Sequence, residues 1–69
     1  LNELIGFGLR MRKGIDLDQI PENYKNQFYQ NLNIVKQKWN ECIIETEMTV
    51  SLTGKGMAFC DTITVALML

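Results

Sequence analysis

The stretch from Tyr24 to Leu52, YKNQFYQNLNIVKQKWNECIIETEMTVSL, changes its hydrophobic period partway along, and that change decides the fold. Its first part places Tyr24, Phe28, Leu32, Val35, Trp39 and Cys42 at spacings of four and three, one apolar stripe along a helix. The other face carries Gln30, Asn33, Lys36, Gln37, Asn40 and Glu41 and is predicted to be wet. Trp39 lies on the stripe and reads as core. Asn23 and Asn26 are both candidate caps, so a break between two helices near Lys25 and Asn26 is open. After Ile43, Ile44 and Glu45 the period becomes two, with Met48, Val50 and Leu52 alternating with Thr49 and Ser51. This predicts a half-buried strand and, for the whole segment, a small hairpin. The turn contains no Gly or Asn to define its type.

Upstream, Leu4, Ile5, Gly8, Leu9 and Met11 or Arg12 fall near one side of a helix predicted over Asn2 to Lys13, with Asn2 as its cap. Gly14 follows Arg10, Arg12 and Lys13, the arrangement of a helix stop. Gly6 and Gly8 each weaken a helix by roughly 1 kcal/mol relative to Ala. A close backbone approach, within the domain or against a neighbour, would account for both. Asp16 followed by Gln19 resembles a capping box opening a short second helix, in which Pro21 is awkward. Downstream, Thr53 reads as an N-cap, and Phe59, Cys60, Ile63, Ala66 and Leu67 form the inner face of a last helix. Gly54 and Gly56 in its first turn again suggest a close contact. The order is helix, helix, helix, hairpin, helix. The expected fold is α+β and mainly helical, winged-helix-like with one extra C-terminal helix, in a single domain over residues 1–69.

Sixty-nine residues bury only roughly 60% of the unfolded surface, so stability is expected to be marginal. The net charge is −1 and the seven basic residues are spread along the chain, which argues against nucleic acid, whose phosphates need a concentrated basic face. There is no His, and Cys42 and Cys60 are the only cysteines. Two thiols without an imidazole do not make a structural zinc site from one chain. They read as reduced, packed thiols of a cytoplasmic protein. No apolar run approaches the roughly 20 residues of a membrane span. No nucleophile–base pair or cofactor loop is present, so no residue is assigned a catalytic or metal-binding role. The start at Leu1 rather than Met is expected of a piece of a longer chain.

Two terminal patterns carry a resemblance. Glu3, Leu9, Arg10, Gly14, Ile15, Asp16 and Leu17 lie within ELIGFGLRMRKGIDL, and Leu52, Thr53 and Gly56 precede a hydrophobic helix in LTGKGMAFCDTITVAL. With the apolar-apolar-Glu step at Ile43, Ile44 and Glu45 between them, nearly the whole chain resembles the C-terminal domain of the oxygen-independent coproporphyrinogen III oxidase family. This is a radical S-adenosylmethionine family of porphyrin and haem biosynthesis that includes related haem chaperones. Relatives often carry Gly where Cys42 stands and Pro where Gly54 stands; a Cys at that corner must avoid positive φ or accept strain.

The resemblance implies a non-catalytic accessory domain of a larger oxidoreductase or haem chaperone. Its neighbour would be an N-terminal barrel holding a four-iron, four-sulfur cluster on C-x-x-x-C-x-x-C and cleaving S-adenosylmethionine. No such motif is present here. The expected reaction of the parent is oxidative decarboxylation of coproporphyrinogen III; the chaperone branch binds and delivers haem. Arg10, Gly6 and Gly8 are the candidate contacts to substrate or barrel, and Arg10 suits a propionate because a guanidinium binds carboxylate bidentately. For Arg10 and Asp61 the plainer reading is a structural ion pair or solvated charges. The alternative function is a stand-alone winged-helix module binding DNA or protein, against which the acidic composition argues in the case of DNA.

Overall fold

The computed structural model describes residues 2–69. The described chain runs α1 (Asn2–Arg10), β1 (Ile15–Asp16), a 3-10 turn (Leu17–Gln19), α2 (Glu22–Lys38), β2 (Ile43–Glu45), β3 (Thr49–Leu52), α3 (Gly54–Met57) and α4 (Cys60–Leu67). The strands form one antiparallel sheet in the order β1-β3-β2, with Ile15 opposite Val50 and Ile43 opposite Leu52. This is the α+β, mainly helical class expected from the sequence, with the hairpin in place.

The two-residue β1 is not predicted by the sequence reading, because two residues carry no period. It makes β3 the central strand rather than an edge. Val50, Ser51 and Leu52 are therefore all buried, while Met48 is exposed. The expected alternation fails because both faces of β3 are covered: the backbone at Gly14 lies against Ser51 on the face predicted to be wet.

Helix α1 stops at Arg10, not Lys13. Met11–Lys13 form a turn in which the Met11 amide donates to the Gly8 carbonyl at 3.2 Å and the Gly14 amide to the Met11 carbonyl at 3.0 Å. Gly14 then adopts φ +85°, the left-handed region that suits glycine. Asn2 is inside the helix rather than capping it. The expected second helix shrinks to the 3-10 turn, with Asp16 Oδ1 accepting from the Asp18 amide at 3.0 Å. Pro21, at φ −56°, leads directly into α2, which runs unbroken through Lys25 and Asn26. Both Asn23 and Asn26 are exposed and interior to it.

Phe28, Leu32 and Val35 form the buried stripe of α2. Tyr24, at its start, is 43% exposed, and Trp39 is half-buried against the edge of the core with Lys38 Nζ 4.9 Å from its ring. Cys42 is buried beyond the end of the helix. The left-handed residue at this corner is Glu41, at φ 68°, so Cys42 avoids the strain expected there. Thr46 supplies what Gly or Asn would otherwise provide in the hairpin turn. Its Oγ1 accepts from the Met48 amide at 3.2 Å and the Thr49 amide at 2.9 Å.

The last helix is in two parts. At Phe59 (φ −118°, ψ 23°) the helix breaks, which turns that side chain outward to 46% exposure rather than inward. Ile63, Thr64 and Leu67 form the buried face of α4. Thr53 does cap α3: its Oγ1 accepts from the Gly56 amide at 3.0 Å and donates to the Glu41 carbonyl at 2.7 Å. Gly56 is required because a Cβ there would collide with the Cys42 carbonyl oxygen. Thr53 thus ties α3 to the exit of α2. Thr53→Ala is expected to lower stability by about 1–2 kcal/mol, measured by urea denaturation; a change below about 0.5 kcal/mol would mean that the cap contributes only a surface turn.

Candidate docking groove between α1 and α4

Helices α1 and α4 lie antiparallel. At one end Asn2 Oδ1 accepts from the Leu69 amide at 2.8 Å, and at the other Arg10 Nη2 stands 3.4 Å from Asp61 Oδ1. The apolar stripe of α1, Ile5 and Leu9, points into the core. Its opposite side faces an open groove of about 270 Å³ lined by Asn2, Glu3, Gly6, Phe7, Arg10, Thr64 and Met68.

Gly6 makes the floor. A Cβ there would sit 3.8 Å from Thr64 Cγ2, an ordinary contact, so the position has room for a methyl but is left empty. Phe7 stands on one wall, 69% exposed, and Met68 on the other, 41% exposed. Phe7 is the most exposed of the large apolar side chains, and with Met68 it gives the groove two apolar walls. Glu3 and Arg10 mark the two ends.

Four residues singled out from sequence meet here: Glu3, Gly6 and Arg10 line the groove, and Asp61 adjoins it. Arg10 and Asp61 do form a pair, but both are well exposed, and pairs of this kind contribute little to stability. Gly8 does not belong to the groove. It is buried on the other side of α1, where a Cβ would lie 2.9 Å from Ile15 Cα, and it serves the packing of α1 on β1. Leu9, Gly14, Asp16, Leu52, Thr53 and Gly56 likewise hold the fold together. Asn2, Phe7, Thr64 and Met68 were missed. Phe7 was legible: with Glu3 and Arg10 it makes an i, i+4, i+7 stripe on the side of α1 away from Ile5 and Leu9.

Of the three lysines on α2, Lys25 pairs with Glu22 at 3.3 Å and Lys36 with Glu45 at 2.7 Å. Cys42 and Cys60 are both free thiols. Among the described residues there is no group of three or more His, Cys, Asp or Glu that could hold a metal ion, and no helix is long and apolar enough to cross a membrane. Comparison with known protein families, with curated proteins and with solved structures finds no match to this chain.

Proposed function

We propose that the chain is a non-catalytic accessory domain that docks through the groove between α1 and α4. The observation that carries this reading is an unfilled apolar groove with a water-exposed Phe7 on its wall. The groove is open to solvent and framed by two helices, a shape that suits a polypeptide surface.

The resemblance of the terminal patterns suggests the setting: a cytosolic radical S-adenosylmethionine protein of the oxygen-independent coproporphyrinogen III oxidase family or its haem-chaperone branch. There the cluster and S-adenosylmethionine belong to the barrel, and this domain would help to enclose the tetrapyrrole site. Arg10 supports that setting, since its guanidinium is exposed and is held only loosely by Asp61.

The test is the coding sequence that precedes Leu1. A barrel-length region, on the order of 200 residues, carrying C-x-x-x-C-x-x-C is expected. A start codon close to Leu1 would overturn the radical-enzyme setting and leave an independent docking module. In a full-length parent, Arg10→Ala should weaken substrate or haem binding without unfolding the protein; unchanged binding would remove Arg10 from that role.

A further inference from the structure

We infer that the groove is closed by a second copy of the same chain, in a twofold pairing of α1 against α1. The inference rests on the groove being a docking surface, and it adds the identity of what docks.

The exposed side of α1 is self-complementary. Glu3, Phe7 and Arg10 recur at four and three residues, so they share one side of α1. Along that side the acid lies toward the N-terminus, the ring in the middle and the base at the C-terminal end. A closed dimer uses the same patch on both subunits, so that residue i meets j and j meets i. Set antiparallel about an axis between Gly6 and Phe7, each Glu3 faces Arg10 of the partner subunit. In the same register each Phe7 faces Gly6 of the partner subunit. Ring therefore meets hole, and acid meets base, twice over.

Gly6 is what allows the approach. With no side chain above Thr64, the floor is open to an incoming ring. Two antiparallel helices a few ångströms closer than average gain contact along their whole length. Arg10 keeps Asp61 on its own subunit, since a guanidinium has donors for two carboxylates. Val65, on the outer side of α4 and 67% exposed, extends the apolar surface beside the groove.

The test is sedimentation velocity on the 69-residue chain, with circular dichroism to confirm folding. A dimer is expected at tens of micromolar, weakening as salt is raised. Glu3→Arg alone, or Arg10→Glu alone, turns two attractive contacts into two repulsive ones and should weaken the dimer on the order of 30-fold. Mixing the two single variants should restore assembly as a heterodimer, because one then carries only bases and the other only acids along the stripe. The double variant should recover as a homodimer. A chain that stays monomeric at millimolar concentration overturns the inference and leaves the groove to a different polypeptide. A dimer indifferent to both charge swaps, or a mixture that does not recover, overturns it as well. None of these outcomes depends on what precedes Leu1, so the proposed setting can fail or stand separately.

Discussion

Gly14→Ala is expected to lower the stability of the chain by roughly 2–5 kcal/mol. Two costs combine. A residue with a Cβ at φ +85° costs about 1–2 kcal/mol in the left-handed region. The added methyl would also lie 2.7 Å from Ser51 Cβ and closer still to the Val50 carbonyl oxygen. Those atoms belong to the central strand, paired on both sides by β1 and β2, so they cannot step aside. Forced overpacking of this kind costs a further 1–3 kcal/mol or so. A globular chain has about 0.05–0.15 kcal/mol of stability per residue, roughly 3–10 kcal/mol for 69 residues, so the penalty removes a large share of it. Guanidinium denaturation followed by circular dichroism would measure it. Gly54→Ala is the control: nothing lies within 4 Å of a Cβ there, and alanine in a helix should be neutral or stabilising by up to about 1 kcal/mol. A Gly14→Ala variant within about 0.5 kcal/mol of the wild type would show that the loop over β3 yields, and that its close contact does not hold the sheet.

The glycines also show what could be read from sequence and what could not. That Gly6 and Gly8 sit where helix propensity disfavours them was legible, and so was the need for a reason. Gly8 faces Ile15 inside the domain while Gly6 opens outward; their separate reasons were hidden, because β1 is too short to announce itself and only its position tells the two glycines apart. The helix of α2, with Phe28, Leu32 and Val35 as its buried stripe, and the presence of the hairpin were legible, since several residues support each; the stripe's ends at Tyr24 and Trp39 and the alternation along β3 were not. Boundaries were not, because they depend on single local bonds. Arg10 ends α1 where a turn at Met11 takes over, and Phe59 breaks the last helix with no Gly or Pro to mark the place. The burial of Ser51 follows from the backbone at Gly14 lying over it, a long-range contact that no window of β3 contains. The groove was half legible: its charged ends stood out as residues, and its walls had to wait for α4 to be laid against α1.

Phe28→Ala should be the most damaging side-chain truncation, at about 3–5 kcal/mol. Phe28 is fully buried at the centre of the α2 stripe, in one core cluster with Leu32, Val35, Ile63 and Leu67, and its ring meets Tyr29 edge to face at 6.1 Å. Removing it empties the largest buried side chain in a core too small to collapse around the space. The expected result is loss of a cooperative thermal transition. Tyr24→Ala, on the same stripe but 43% exposed, should cost about 1 kcal/mol. The comparison that matters for function is Phe7→Ala. Phe7 is 69% exposed and belongs to no buried cluster, so its removal should change stability by less than about 0.5 kcal/mol while abolishing association through the groove. A ring this exposed contributes little to folding, so loss of association without loss of stability would assign it to the groove's contact. Should Phe7→Ala destabilise the monomer as Phe28→Ala does, the groove would be part of the core and the docking reading would lose the observation on which it stands.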